Sequence, residues 1–120
     1  MEKLIITVAL NGAEVTREQN PHIPFTPEEI AEDAARCREA GAAMVHVHGR
    51  LPDGTPTQDA AVYKEIIDAI RARTDVIVQV STGGAVGMTA EERLAPVRLR
   101  PEMASLTTGT VNFGSDVFFN

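Results

Sequence analysis

Ala43-Met44-Val45-His46-Val47-His48 is a short apolar run that carries two imidazoles and leads directly into Gly49-Arg50. Runs of the same kind lie at residues 4–9 (LIITVA) and 76–80 (VIVQV), with a weaker one at 103–107 (MASLT). The first three are rich in isoleucine and valine, as strands buried on both faces tend to be. Between them lie helical patterns. Thr26-Pro27-Glu28-Glu29 reads as a helix start, with Thr26 as N-cap, Pro27 at the first helical position and Glu29 completing a capping box. Ile30, Ala34, Cys37 and Arg38 follow at helical spacing, and Gly41 reads as the stop. Asp59 opens a second helix whose apolar stripe is Val62, Ile66, Ile67 and Ile70. Thr89-Ala90-Glu91-Glu92 begins a shorter third helix, with Pro96 near its end.

Strands alternating with helices imply an α/β fold of parallel strands joined by crossovers. At about 30 residues per βα unit, the 120 residues supply four units, whereas a closed (β/α)8 barrel takes about 250. The chain therefore reads as one domain over residues 1–120, either a small open sheet or half of a barrel. Three of its four phenylalanines, Phe113, Phe118 and Phe119, fall in a final stretch with no closing helix. Exposed Phe118 and Phe119 would need cover, so the expectation is a (β/α)4 unit whose natural continuation is missing.

Composition narrows the function. Seventeen acidic against eleven basic residues give a formal charge of −6, which argues against nonspecific nucleic-acid binding. No apolar run approaches the roughly 18 residues of a membrane span. The N-terminus lacks the basic start and long apolar run of a secretory signal. Cys37, the single cysteine, rules out an internal disulfide and suits a reducing cytoplasm. It has no histidine nearby in sequence, which favours a packing role.

In parallel α/β folds, ligands bind at the carboxyl ends of the strands. The four runs lead to Asn11-Gly12-Ala13-Glu14, to His46-Val47-His48-Gly49-Arg50, to Ser81-Thr82-Gly83-Gly84, and to Ser105 followed by Thr107-Thr108-Gly109-Thr110. Side chains at i and i+2 of a strand share a face, so His46 and His48 can share a divalent metal, and neutral imidazole nitrogens suit zinc. The bland alternative is two hydrogen-bonded histidines near a strand end. Glu14 is a possible third donor, although an acid at such a mouth more often meets substrate or solvent. His22, in Asn20-Pro21-His22-Ile23-Pro24, reads as an ordinary loop residue. The Ser81–Gly84 turn suits a carboxylate or phosphate, or is simply a flexible turn. It is neither a P-loop nor a dinucleotide fingerprint. Arg50 could hold an anion, or pair with Asp53 or Asp59. Pro52-Asp53-Gly54-Thr55-Pro56 reads as a turn.

Together these segments, with residues 81–87 (STGGAVG) and 101–114 (PEMASLTTGTVNFG), resemble the N-terminal part of the β-keto acid cleavage enzymes. The resemblance implies the N-terminal half of a TIM (β/α)8 barrel with zinc at its carboxyl-terminal mouth. It implies condensation of a β-keto acid with acetyl-CoA, giving acetoacetate and a new CoA thioester. His46 and His48 would then be two zinc ligands. Ser81, Gly84 and Ser105 would hold the substrate's carboxylate end, and Glu14 would face the substrate. Ser105 stands where a threonine is usual, and Leu51 where many members carry aspartate. The family's third ligand, a glutamate, and its activating arginine and aspartate lie in the half beyond these residues. Two alternatives remain at this point: a half-barrel module that binds metal or anion without turnover, and a small open phosphate-binding domain. Either form of half-barrel leaves open sheet edges, so self-association into a homo-oligomer is expected.

Overall fold

Strand β1 (Thr7–Ala9) is followed by helix α1 (Pro27–Glu39) and strand β2 (Met44–Val47). A hairpin of β3 (Gly49–Arg50) and β4 (Pro56–Thr57) leads to α2 (Ala60–Arg73) and β5 (Ile77–Val80). A one-turn helix, α3 (Ala90–Arg93), runs into a 3-10 turn at Ala95–Leu99. Strand β6 (Met103–Ala104) and a second hairpin, β7 (Val111–Phe113) and β8 (Asp116–Phe118), complete the chain. This computed structural model describes residues 2–120.

The helices start where the caps dictate. Thr26 accepts the Glu29 amide while the Glu29 carboxylate accepts the Thr26 amide, and Pro27 occupies the first turn. Those amide contacts, those to Phe25 foremost, hold the Glu29 carboxyl below its ordinary range. The helix ends at Glu39, and Gly41 adopts φ +109°, which L side chains avoid. Asp59 caps α2 through the Ala61 amide. Thr89 and Glu92 form a second capping box on α3.

All four main strands pair in parallel in the order β1-β2-β5-β6, which is also chain order. This is the parallel (β/α) succession from which half of an eight-unit barrel is built. Alternation along each strand sorts the side chains. Val45, Val47, Val78 and Val80 face the helices and are fully buried. They pack against Ile30, Ala31 and Ala34 of α1 and Tyr63, Ile66, Ile67 and Ile70 of α2. Cys37 is half-buried beside this core, and burial raises its thiol pKa.

The other face differs from the expectation of strands buried on both sides. There the register aligns Ala9, His46, Gln79 and Met103 across the four strands. On this face Ile77 stays 37% exposed and Met103 40%, while residues of the second hairpin, Val111, Phe113 and Phe118, line a cavity with His46. Residues 4–6 of the first run are likewise exposed, and only its second half is strand. The fourth run is reduced to two strand residues. Phe118 is half-buried beneath the Arg93 guanidinium, 4.9 Å from its ring centre, whereas Phe119 remains exposed.

The core and the cap differ in weight. Ile66→Ala, which empties a fully buried site, is expected to cost about 3 kcal/mol, and Thr26→Ala about 1 kcal/mol. Urea unfolding of the two variants measures both, and equal losses would contradict this division.

Candidate functional site

Each strand delivers its polar residues to one rim, where a cavity of about 440 Å³ opens. Glu14, His46, His48, Ser81, Gly84 and Ser105 all line it. The topology thus brings together six of the residues that the sequence singled out for the site.

The two imidazoles meet edge to face, their ring centres 5.1 Å apart, with Nε2 of His46 3.2 Å from Nε2 of His48. Two nitrogens bound tetrahedrally to zinc, each about 2.05 Å from it, would be separated by about 3.3 Å. The spacing and chemistry of this donor pair therefore fit zinc. On the far side of its ring, His46 Nδ1 lies 2.8 Å from the side-chain oxygen of Gln79, its register partner on β5. His48 is held by its backbone instead. Asn11 accepts the His48 amide through Oδ1 and donates Nδ2 to the His48 carbonyl, at 3.0 and 2.9 Å. The His48 side-chain Nδ1 is buried without a hydrogen-bond partner.

Burial, with His46 and Arg50 nearby, pushes the His48 pKa down to about 4. The ring is therefore neutral at physiological pH, the state in which imidazole ligates a metal. Among the described residues, however, no third His, Cys, Asp or Glu joins the pair to form a cation-binding group. Glu14 lines the same cavity without forming such a cluster with the two histidines.

The opposite wall is built by hydroxyls. Ser81 Oγ accepts the Gly83 amide at 3.1 Å, and Ser105 Oγ accepts the Thr82 amide at 3.0 Å. Accepting from the backbone leaves Ser81 its own proton to donate, as an anionic oxygen requires, while Ser105 Oγ also lies 3.4 Å from Thr82 Oγ1. Thr82 Oγ1 donates to the Ser105 carbonyl at 2.7 Å, tying the ends of β5 and β6 together. Gly84 adopts φ +62°, and a Cβ there would come within 2.7 Å of Met88 Sδ, so the turn is shaped for glycine alone. Beneath it Gln58 donates to the Ser81 carbonyl at 3.1 Å and accepts the Tyr63 hydroxyl at 2.7 Å.

Arg50 fulfils neither of its sequence readings. It is 3% exposed and donates to the carbonyls of Gly54, Gly12 and Val15, at 2.7, 2.7 and 2.8 Å. Its guanidinium also lies 4.6 Å from the ring centre of Phe25. Arg50 thus fastens the Glu14 loop to the β3–β4 hairpin rather than binding an anion, Asp53 or Asp59. His22 is an exposed loop residue, as its sequence context suggested. Gln79, Gln58 and Arg50 are the supporting residues that sequence reasoning missed or misread. Only the parallel register, which sets Gln79 opposite His46, could have pointed to the first.

A model of the beta-keto acid cleavage enzyme family matches residues 3–120. The chain belongs to this family. It is 59% identical over 120 residues to a 3-keto-5-aminohexanoate cleavage enzyme of Acetoanaerobium sticklandii, covering 99% of this chain and 44% of that one. It is 41% identical over 117 residues to a 3-oxoadipate:acetyl-CoA acetyltransferase of Cupriavidus necator, covering 97% and 41%. The chain thus spans less than half the length of these family members. Among solved structures, a binary complex of ObcA with oxaloacetate superposes with a TM-score of 0.66 at 29% identity, over 78% of this chain and 25% of that one. No helix among the described residues is long and apolar enough to cross a membrane.

The His48 shift has a sign that can be tested. The unfolded chain takes up the His48 proton near 6.5, the folded chain only near 4. Stability should therefore fall as pH drops from about 6.5 to 4, by up to about 3 kcal/mol. Thermal unfolding of chelator-treated protein measures the fall, and His48→Gln should flatten it.

Proposed function

We propose that this chain forms the N-terminal rim of a zinc-dependent enzyme that cleaves a β-keto acid with acetyl-CoA, yielding acetoacetate and a CoA thioester. The observation that carries the reading is the convergence of His46 Nε2 and His48 Nε2, 3.2 Å apart, on the cavity that Glu14, Ser81, Gly84 and Ser105 also line. The relatives, named for cleavage of 3-keto-5-aminohexanoate and for acetyl transfer between 3-oxoadipate and acetyl-CoA, support the same substrate class.

The residues divide the work by their chemistry. His46 and His48 would hold the zinc, two of the three protein ligands that a catalytic site needs. Zinc bound there would supply Lewis acidity toward a keto oxygen. Ser81 and Ser105 turn their hydroxyls to the substrate's carboxylate, and the Gly84 turn lets the backbone approach it. Glu14 faces the substrate from the loop that Arg50 fastens. Val15, Val86, Val111 and Phe113 line the same cavity and offer apolar contacts to the carbon chain of the keto acid. The third ligand and the groups that activate the thioester would come from outside these residues.

A second reading follows from the open sheet face and the incomplete donor set. In it, the (β/α)4 unit by itself binds metal or anion without turnover, and a second copy covers Ile77 and Met103 to make a homo-oligomer. The single, half-buried cysteine suits a reducing cytoplasm in either reading.

Three measurements test these readings. Zinc content by elemental analysis should be stoichiometric and fall sharply in His46→Ala; a metal-free wild type would contradict the zinc assignment. Supplied with a β-keto acid and acetyl-CoA, the chain combined with the part that carries the third ligand should release acetoacetate under the first reading, whereas under the second no acetoacetate forms. Sedimentation should give a monomer mass if a second copy does not cover the sheet.

A further inference from the structure

The row Ala9, His46, Gln79 and Met103 crosses the open face of the sheet, and only its two central members are polar. Gln79 is half-buried there, and its side-chain amide has one protein partner within hydrogen-bond distance. That partner is His46 Nδ1, 2.8 Å from Gln79 Oε1. A neutral imidazole carries one proton on one of its two nitrogens, and the hydrogen bond on one side decides which. A carbonyl oxygen at Nδ1 can only accept, so it places the proton there and leaves Nε2 a lone pair. Nε2 is the atom that faces His48 at the cavity. The reverse orientation, with the glutamine amide donating, would put the proton on Nε2 and leave no lone pair for a cation.

We propose that Gln79 is a positioning residue, whose side-chain carbonyl fixes His46 in the tautomer that presents Nε2 for metal binding. This rests on the zinc reading above for its purpose, but not for its geometry. The arrangement is one-sided. His48 has no side-chain partner at Nδ1 and is placed by Asn11 through its backbone. His46 is therefore the preset ligand of the pair, and Gln79 is the residue that presets it. The strand register brings the two side chains within reach, because Gln79 is the direct neighbour of His46 in the β2–β5 pairing.

The test needs a readout other than activity. Long-range 1H–15N correlation spectra of the metal-free protein at neutral pH report which ring nitrogen of His46 is protonated. Wild type is expected to show the proton on Nδ1. Gln79→Glu keeps an acceptor and should keep that tautomer. Gln79→Leu should lose the preference and weaken zinc binding about 10- to 100-fold in a chelator competition, with circular dichroism checking that both variants fold. A proton on His46 Nε2 in wild type, or an unchanged His46 tautomer in Gln79→Leu, would overturn the proposal. Wild type that binds no zinc would contradict the metal reading alone, since the tautomer spectra still decide the role of Gln79.

Discussion

Parallel pairing of β2 with β5 is the constraint on which the site depends. It aligns Val45 with Val78 and Val47 with Val80 on the helix side, and His46 with Gln79 on the other. Because side chains alternate with period two, a slip of one residue would exchange the two sets. Valines would face the cavity, and an imidazole and an amide would enter a core packed by Ile30, Ile66 and Ile70. Burying those polar groups without partners would cost several kcal/mol. The same burial that stabilises the domain therefore fixes the orientation of the two histidines. The arrangement of the site is a consequence of the core.

From that register the rest of the rim follows by short tethers. The Ser81 amide bonds the Val47 carbonyl, and the Ser105 amide bonds the Val80 carbonyl, so each rim hydroxyl sits one step beyond a strand. Asn11 reaches from the end of β1 to grip His48, and Arg50 reaches back to hold residues 12 to 15. These are buried polar contacts with their hydrogen bonds satisfied, the kind that rigidify rather than weaken a fold. A cavity assembled this way is preformed, as small-molecule sites generally are.

Much of this was legible in the sequence. The caps at Thr26, Asp59 and Thr89 and the stripe through Ile66, Ile67 and Ile70 depend on spacings of a few residues, and local physics decides them. The same-face placement of His46 and His48 follows from strand geometry alone. What was not legible depends on distant partners. Gln79 and His46 are 33 residues apart, and Arg50 meets carbonyls 38 and 35 residues away. The β3–β4 and β7–β8 hairpins have strands of two or three residues, too short to leave a periodic pattern. The open sheet face was misjudged because isoleucine and valine mark strands whether or not something covers them.

The central claim is that the paired imidazoles are a metal site, and X-ray absorption at the zinc edge tests it most directly. Zinc-loaded protein should show imidazole scattering from two histidines, with one lost in His46→Ala. A zinc shell without imidazole, or one unchanged by that substitution, would contradict the account and leave His46 and His48 as a hydrogen-bonded pair in an α/β sheet.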